Sequence, residues 1–362
     1  MVKITKNGVR NMPVTIKDIA QIAGVSFSTV SRSLNDSNLV AEDTKKQIKE
    51  IAKSLGFEFN ASARSLSTQK TGSIGVIYPE SFEAFHVNLF YNSLHNQIRK
   101  TLEREALDLI VAFPKNKFDG NSSNIERLVK SKKVDGLIIV SSVLDEVDKE
   151  ALHLTKKQGI PFVFLHHYPN DPWLLEEANV FCTDHFSGGF KATEHLIKKG
   201  HKHIACITAT GNMEEFDKRT DGYKTALAQH NISFNEEIFF YGDRSFQAGY
   251  EIIINNRSKV RHFSAIFSQN DLMALGAIQA LSELQFKIPG DIAVVGYDDI
   301  ELLALFKPLL TTVRQPREKI AVLACESLIS IIKDKETIKR KLLVNPSLIV
   351  RESCGSVLTS KA

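Results

Sequence analysis

Charged and amide side chains in the C-terminal part of the chain follow short apolar runs, at positions where they could bind a small molecule. The four that stand out are Asp184, Arg219, Asn270 and Asp298. A carboxylate accepts hydrogen bonds, a guanidinium donates several in a fixed fork, and a primary amide does both. If such a set converges on one cleft, it can hold adjacent hydroxyl groups. The residue types therefore predict binding of an uncharged, polyhydroxylated ligand.

Apolar runs rich in β-branched residues precede these side chains and alternate with amphipathic stretches. This pattern is typical of parallel strands that are covered by helices on both faces. Ligands bind beyond the carboxyl ends of such strands, and a protein with two such sheets places the crevice between its lobes. The predicted strands are residues 74–78, 107–113, 134–140, 162–165, 204–208, 264–267 and 292–297.

The sequence contains no common catalytic or cofactor motif. No GxGxxG stretch joins a strand to a helix, and GxxxxGK[ST], GxSxG and HExxH do not occur. The four cysteines have neither CxxC nor metal-ligand spacing, so we expect buried thiols, no metal and no cofactor. An enzyme remains an alternative, in which His166 and Asp184 would form an acid–base set.

Composition and charge predict a globular protein with one basic end. The chain has 362 residues, 43% hydrophobic and 24% charged, which is enough for two or three domains. Residues 1–72 contain 11 Lys and Arg against six Asp and Glu, whereas the remainder has no basic excess. A basic end favours a polyanionic partner. Because neither a membrane-spanning run nor a secretory signal is visible, we expect a cytoplasmic protein without membrane contact.

Residues 14–35 have the pattern of two short helices joined by a glycine turn. Thr15 is a suitable N-cap, and apolar residues then recur at helical spacing until Gly24 reverses the chain. Ser26 can cap a second helix whose Val30 faces inward. The exposed side of that helix carries Phe27, Ser28, Thr29 and Arg32. A helix-turn-helix presents base-reading side chains to the DNA major groove in this way, and a third helix is predicted over residues 42–55.

The segments TIKDIA, AGVS, TVSR and LN of this region resemble, almost letter for letter, the DNA-binding head of the lactose-repressor family of bacterial transcription factors. The resemblance extends over about residues 13–355, where GYDD and PLLTTVRQP are specific to the family in combination. It implies that Phe27 and Ser28 set operator preference and that Arg32 reaches a base edge. The phosphate contacts that it implies are Thr15, Ser26, Thr29 and Asn35. Ala41 departs from the family, which usually has Ser or Asn as the N-cap of the third helix.

The polar linker over residues 57–72 contains a helical stretch, residues 60–66, that is too short to be stable alone. The matching segment of the family is a hinge helix that folds when two subunits sit on DNA. By that match Leu66 is an apolar wedge in a minor-groove base step. The other hinge residues implied to contact DNA are Asn60, Ala63 and Arg64. A linker residue packed on its own domain is the alternative for Leu66.

The same resemblance assigns roles to the side chains of the predicted cleft. Arg219, Asn270 and Asp298 match effector-contacting positions of the family. Asp184 lies at the first crossover between the lobes, and Gln315 lies at the second. We therefore expect these five residues to bind or surround a small-molecule effector, most simply a sugar.

Five further positions concern the identity of that effector. Phe90 and Tyr91 match aromatic positions that would form a flat apolar wall, although core packing at a helix start is the alternative. His166 stands where the family often has an effector-contacting Asp, and Arg244 stands where an aromatic residue often stacks on the ligand. Phe246 could supply that ring instead. His166 and Arg244 tolerate a phosphate, so a sugar phosphate is an alternative to a neutral sugar, while the stretch around Phe90 is reminiscent of maltose-type repressors and favours an α-glucoside.

These observations predict an all-α helix-turn-helix head followed by an α/β core of two doubly wound parallel-sheet lobes, like that of periplasmic binding proteins. We expect a repressor of carbohydrate-use genes that binds a pseudo-palindromic double-stranded DNA operator as a homodimer. The alternatives are a cytosolic sugar-binding protein and an α/β enzyme without a transcriptional role.

The predicted domain bounds are an arm at 1–12, the head at 13–58, a hinge and linker at 59–72, the core at 73–355 (lobe 1 at 73–183 and 314–344, lobe 2 at 184–313 and 345–355) and a tail at 356–362.

Overall fold

The computed structural model describes residues 14–57, 70–80, 85–115, 122–140, 144–169, 171–211, 213–334 and 339–355. The chain divides into two compact units, Met1–Gly72 and Ser73–Ala362. Among the described residues, no helix combines the length and apolar character that crossing a membrane requires. The predicted hinge contacts Asn60, Ala63, Arg64 and Leu66 lie outside the described residues.

Three helices of the first unit pack around a small apolar centre. They are α1 (Ile16–Ala23), α2 (Phe27–Leu34) and α3 (Glu42–Ser54). The residues buried at this centre are Ile19, Val30, Ile48 and Ala52. Each comes from the apolar stripe that the helical spacing predicts. Gly24 joins α1 to α2 with a φ of 67°, a left-handed conformation that glycine adopts at little cost.

The three helices differ in how their first N–H groups are satisfied. At α1, the Asp18 carboxylate accepts from the Thr15 backbone N–H at 2.9 Å and from the Thr15 hydroxyl at 2.8 Å. At α2, the Ser26 hydroxyl accepts from the Thr29 N–H at 3.1 Å. Ala41 occupies the N-cap of α3 and offers no side-chain acceptor there. The start of α3 is therefore the weakest of the three.

Ala41→Ser should stabilise α3 by about 1 kcal/mol, because a hydroxyl at the N-cap can accept one of the orphan N–H groups of the first turn. Amide hydrogen exchange of α3 in the full chain should slow by roughly fivefold. Ala41→Val is the control, since valine brings no acceptor and should not slow the exchange. Equal exchange rates in the serine variant and the wild type would contradict the assignment of Ala41 as a deficient cap.

Within the described residues, the second unit contains twelve strands and nine α-helices. The strands are β1 (Ser73–Ile77), β2 (Asp108–Ala112), β3 (Gly136–Ile139), β4 (Phe162–Leu165), β5 (Asn179–Thr183), β6 (Ile204–Ala209), β7 (Phe239–Gly242), β8 (Ala265–Ser268), β9 (Ala293–Asp298), β10 (Thr311–Arg314), β11 (Lys341–Val344) and β12 (Ser347–Ile349). The helices are α4 (Phe85–Arg104), α5 (Asn124–Lys130), α6 (Glu146–Lys157), α7 (Pro172–Glu177), α8 (His185–Lys198), α9 (Glu214–Gln229), α10 (Phe246–Asn255), α11 (Asp271–Glu283) and α12 (Arg317–Asp334).

The strands form two six-stranded sheets, which define two lobes. Lobe 1 has the strand order β2-β1-β3-β4-β5-β11 with every pair parallel. Lobe 2 has the order β7-β6-β8-β9-β10-β12, in which only the pairing of β12 with β10 is antiparallel. The chain passes from lobe 1 to lobe 2 after β5, returns after β10, and crosses again between β11 and β12. This arrangement confirms the predicted fold class.

Five of the twelve described strands, β5, β7, β10, β11 and β12, have no counterpart in the sequence prediction. β11 and β12 are short edge strands with mostly exposed or half-buried side chains, so they lack a continuous apolar run. Their existence depends on pairing with β5 and β10, which neighbouring residues do not encode. Predicted strand ends also differ by one or two residues; residues 134–140, for example, form a strand only over Gly136–Ile139.

Candidate functional site

The exposed face of α2 carries the side chains that were predicted to read bases. Phe27 is 54% exposed although it is a large apolar residue, and Ser28 and Arg32 are exposed beside it. Val30 and Ser33 form the opposite, buried face of the same helix. Because packing does not account for the exposed aromatic ring, the face is free to meet a partner.

The four predicted phosphate contacts take part in hydrogen bonds within the head. The Ser26 hydroxyl lies 2.8 Å from the hydroxyls of both Ser28 and Thr29. The Asn35 amide donates to the Ser31 carbonyl at 2.9 Å, and the Thr15 hydroxyl donates to Asp18 as described above. These bonds hold the four side chains in place at helix ends. The contacts of these residues with DNA phosphates stay predictions.

Three polar side chains connect the first crossover, after β5, with the second crossover, after β10, and with the carboxyl end of β9. The Thr183 hydroxyl donates to Gln315 Oε1 at 2.9 Å, and Gln315 Nε2 donates to Asp298 Oδ1 at 2.7 Å. Burial raises the pKa of the Asp298 carboxyl, while nearby Arg219 and the bond from Gln315 offset part of that rise. Lobe 1 and lobe 2 therefore meet through a buried chain of bonds at the predicted cleft.

Arg219 is buried in lobe 2 behind this chain, with 2% of its surface exposed. One guanidinium nitrogen donates to the Gln269 carbonyl, and Nε donates to His185 Nδ1 at 3.3 Å. The guanidinium carbon lies 3.9 Å from the centre of the Tyr297 ring, and Nη2 is 3.8 Å from Asp298 Oδ1. Arg219 is thus a positive centre that neutralises Asp298 and orients His185.

Two imidazoles beside the cleft each have one ring nitrogen that is buried without a hydrogen-bond partner among the described residues. These atoms are His166 Nδ1 and His185 Nε2. In each case burial is the main cause that lowers the pKa well below the ordinary histidine value, so both rings are neutral at pH 7. Since the Nε of Arg219 can only donate, His185 Nδ1 must accept, which assigns the proton of His185 to Nε2. His185 therefore presents an unsatisfied N–H donor.

A second contact between the lobes runs from Tyr91 through His167 to Glu215. The Tyr91 hydroxyl is 2.9 Å from His167 Nε2, and His167 Nδ1 is 3.5 Å from Glu215 Oε2. Burial raises the pKa of Glu215, but the adjacent His167 outweighs burial and holds that pKa below its ordinary value. Tyr91 and His167 belong to lobe 1 and Glu215 lies in the first turn of α9 of lobe 2, so lobe movement would change this contact.

Phe90 contacts His166 from within the apolar core of lobe 1, to which Tyr91 also belongs. Its ring centre lies 4.5 Å from that of His166, at an interplanar angle of 34°. Arg317 of α12 places its guanidinium carbon 5.3 Å from the Phe90 ring centre and donates to the Asp299 carbonyl at 2.8 Å. The ring thus packs in the core of lobe 1 and against His166, and its contact with an effector stays a prediction.

Asn270, Arg244 and Phe246 form one loop-to-helix junction in lobe 2. Asn270 caps α11 by accepting from the Met273 N–H at 3.0 Å, and its amide donates to the Arg244 carbonyl at 2.8 Å. Arg244 has a φ of 77°, and its charge lowers the pKa of Tyr91, which burial raises more strongly. Phe246 packs against the lobe 2 core. Asn270 thus positions the loop that contains Arg244, and the Phe246 ring is partly buried against the core of lobe 2.

A cavity of about 580 Å³ lies between the lobes beside the first crossover. Of the predicted effector residues, His166 and Asp184 line it, and His167, His185 and Glu215 complete its polar end. The other eight predicted residues do not line this cavity. A second cavity, of about 800 Å³, lies beside the second crossover and is lined by Gln315 and Arg317 among others.

The acid–base pair considered for an enzyme is not formed. Asp184 caps α8 by accepting from the Ser187 N–H at 2.9 Å, and the unpartnered Nδ1 of His166 makes no bond to it. Among the described residues, no group of three or more His, Cys, Asp or Glu side chains is arranged to hold a metal ion. The geometry of the polar end is suited to hydrogen bonding of a ligand.

Sequence reasoning did not assign roles to His185, Glu215 and Arg317. Glu215 precedes Arg219 by four residues on α9, and this spacing places both on one helix face. His185 directly follows the crossover residue Asp184, and Arg317 follows Gln315 by two. The proximity of these three residues to predicted site residues was therefore visible in the sequence. Their burial was not, because it depends on tertiary packing.

Comparison with known proteins gives consistent matches along the chain. Residues 15–60 match the profile of the bacterial regulatory proteins of the lacI family, and residues 193–354 match a periplasmic binding protein-like domain. The HTH-type transcriptional repressor PurR of Aliivibrio fischeri (strain MJ11) is 33% identical over 341 residues, covering 94% of this chain and 98% of that protein.

Two solved structures extend this comparison to the fold. The lac repressor dimer bound to operator and an anti-inducer superposes with a TM-score of 0.75 at 25% identity, covering 95% of this chain and 99% of that one. The complex of the transcriptional regulator CelR with cellobiose superposes with a TM-score of 0.68 at 27% identity, covering 94% of this chain and 99% of that one.

Proposed function

The chain belongs to the lacI family of bacterial regulatory proteins, and from this premise we propose that it represses carbohydrate-use genes in the cytoplasm under the control of a sugar bound between its lobes. Family membership confirms the resemblance predicted from the head motifs. The protein is a DNA-binding transcriptional repressor, and its residue roles, domain bounds and effector are our proposals. The observation that carries the DNA-binding role is the exposed face of α2 with Phe27, Ser28 and Arg32.

Repression requires that two heads read one operator. One recognition helix contacts only a few base pairs, so a symmetric dimer on a pseudo-palindromic site doubles the contacts. The related lac repressor is a dimer on its operator, which supports the same assembly for this chain. We keep Leu66 as the proposed minor-groove wedge and residues 60–66 as the proposed hinge.

Control by a ligand follows from the position of the cleft at the crossovers. A sugar that contacts both lobes changes their closure, and closure changes the spacing of the two hinges and heads. The coupling is reciprocal, so operator DNA must alter sugar affinity by the same factor as the sugar alters operator affinity. The related CelR binds cellobiose, which supports a carbohydrate as the ligand here.

Arg32→Ala tests the base-reading role. Operator affinity should fall by roughly 10- to 100-fold while affinity for random duplex DNA changes little, because a base contact is lost and nonspecific charge is nearly kept. The operator is obtained by selection from random duplexes with the wild-type protein, and affinities are measured by fluorescence anisotropy at fixed salt.

The control for this test is Lys53→Ala, which removes an exposed cation from the last turn of α3 in the same head. It should affect both kinds of DNA alike and weakly. A loss of equal size on operator and random DNA for Arg32→Ala would instead make Arg32 a phosphate contact.

A further inference from the structure

The contact between His167 of lobe 1 and Glu215 of lobe 2 joins the lobes away from the crossovers. His167 Nδ1 lies 3.5 Å from Glu215 Oε2, and the two side chains are 5% and 11% exposed. His167 follows β4 and Glu215 lies in the first turn of α9, so neither belongs to a segment that passes between the lobes. Chain connectivity does not maintain this contact, and it breaks when the lobes open.

The contact keeps its hydrogen bonds in both protonation states of His167. The Tyr91 hydroxyl is 2.9 Å from His167 Nε2. A phenol can donate to the lone pair of a neutral imidazole or accept from the N–H of an imidazolium. Nδ1 carries a proton in the charged ring, and also in the neutral ring whose Nε2 accepts from Tyr91, so Glu215 faces a donor in both cases. Protonation therefore changes the charge of the contact and leaves its geometry in place.

The nearest groups around His167 are uncharged except for Glu215. On the lobe 1 side, burial raises the pKa of Tyr91 and lowers the pKa of His166, so both are neutral at pH 7. On the lobe 2 side, burial likewise lowers the pKa of His185. Burial raises the pKa of Glu215, but His167 more than offsets that rise, so Glu215 stays ionised. Closing the lobes therefore brings His167 against a carboxylate.

Three further charged groups act on this region from lobe 2. Burial raises the pKa of Glu214 and nearby His167 offsets part of that rise, so the two groups attract each other. Arg219 is positive but lies 3.8 Å from Asp298, which it neutralises. The charge of Arg244, in the loop before α10, acts on the tyrosine of the contact. The carboxylate in direct contact outweighs these groups, because the interaction of two charges weakens with distance.

Resting on the proposed repressor function, we infer that His167 and Glu215 form a proton-dependent latch that holds the two lobes together when no ligand is bound. An imidazolium at His167 pairs with the Glu215 carboxylate in the closed core and loses this partner when the lobes part. The closed core therefore binds a proton more tightly than the open core. By linkage, closure is favoured as the pH falls through the range in which histidine titrates, about 6.5, and is weakened as the pH rises above it.

Operator affinity can report on the latch because the head contains no histidine. Residues 1–72 include none of the 11 histidines of the chain. Lobe closure is proposed to set the spacing of the hinges and heads, so proton binding in the core and operator binding affect each other reciprocally. A histidine-linked change of operator affinity therefore originates in the core.

Fluorescence energy transfer between the lobes of the full chain, without ligand, tests the latch. The native cysteines in the described part of the chain are buried, so Lys157→Cys in lobe 1 and Asp221→Cys in lobe 2 provide exposed thiols for the dyes. The ratio of closed to open molecules should be at least about fivefold larger at pH 5.5 than at pH 7.5. An equal ratio at both pH values, or a ratio that rises with pH, would overturn the inference.

His167→Gln separates the proton from the hydrogen bonds, because glutamine can accept from Tyr91 and donate to Glu215 but cannot titrate. Its ratio of closed to open molecules should agree within about twofold between the two pH values. Glu215→Gln should give the same flat profile, since the carboxylate charge is gone. Wild-type pH dependence in either variant would assign the effect to another group and remove the latch.

His230→Gln is the matched control, because His230 forms a similar pair within one lobe. His230 Nε2 lies 3.9 Å from Glu194 Oε1, and both residues belong to lobe 2, so this pair does not change when the lobes part. The variant should keep the full pH dependence of closure. Its loss in His230→Gln would show that the effect does not arise between the lobes, and would count against the latch.

Operator affinity measured in parallel separates the latch from the proposed function. It should change by at least about threefold between pH 5.5 and pH 7.5 in the wild type and less in His167→Gln. If closure follows pH as expected but operator affinity does not, the latch stands and control of DNA binding by lobe closure fails. If the operator is bound but closure does not follow pH, the latch fails and the repressor function stands.

Discussion

Arg219→Ala is expected to lower the free energy of unfolding of the core by about 3 kcal/mol and to remove the effect of any bound sugar on operator affinity. The guanidinium is buried beside Asp298 and donates to His185 and to the Gln269 carbonyl. Removing one partner of a buried charge pair leaves the other uncompensated, which costs far more than loss of an exposed pair. The hydrogen bond that Arg219 donates to His185 is lost with it.

The double variant Arg219→Ala, Asp298→Asn should recover part of this stability, because the stranded carboxylate is gone. Chemical denaturation of the four members of the cycle measures the coupling between the two residues. Lys218→Ala is the control, since it removes an exposed cation from the same helix and should stay within roughly 0.5 kcal/mol of the wild type. Equal stability of Arg219→Ala and the wild type would show that Asp298 does not depend on Arg219.

The stability deficit of Arg219→Ala should also shrink as the pH falls. Burial raises the pKa of Asp298, and loss of Arg219 raises it further. A carboxyl whose folded pKa lies above its unfolded value destabilises the fold at high pH, and the penalty disappears as the pH falls towards the unfolded value of about 3.9. A deficit that grows on acidification would contradict the charge argument.

Gly222→Ala is expected to destabilise lobe 2 by about 3 kcal/mol, because α8 and α9 touch backbone to backbone at this point. A Cβ on Gly222 would lie 2.2 Å from the Phe186 carbonyl oxygen, and one on Gly189 would lie 2.1 Å from the Arg219 carbonyl oxygen. Both neighbours are main-chain atoms within helices, so neither can move aside alone. The two helices must separate, and they carry His185 and Arg219.

Gly290→Ala is the matched control, because its Cβ would meet nothing nearer than the Lys287 Cβ at 3.3 Å, outside the helix interface. Thermal denaturation should show a clear loss for Gly222→Ala and little change for Gly290→Ala. Titration with the sugar that controls operator binding should show weaker binding only in the Gly222 variant, since separation of α8 from α9 moves His185 away from Arg219. Unchanged stability of Gly222→Ala would contradict the close approach.

The local pattern of the sequence determined the head and the class of the core. In α1 to α3, apolar spacing, Gly24 and the capping residues act over a few residues, so the helices and the exposed face of α2 follow from the sequence by itself. The fully buried strands such as β4 were equally visible, because their apolar runs are continuous. Short edge strands such as β11 were missed, since pairing with a distant strand creates them.

Only the tertiary structure decided which polar residues line the cavity and which make structural hydrogen bonds beside it. Asn270 had the right type to bind a ligand, yet its amide caps α11 and holds the Arg244 carbonyl, whereas His185 and Glu215 line the cavity. A sequence shows which groups can donate, accept or carry charge. Which of them are buried without a partner depends on contacts between distant segments, such as Arg219 with His185, and these arise only when the sheets and helices pack.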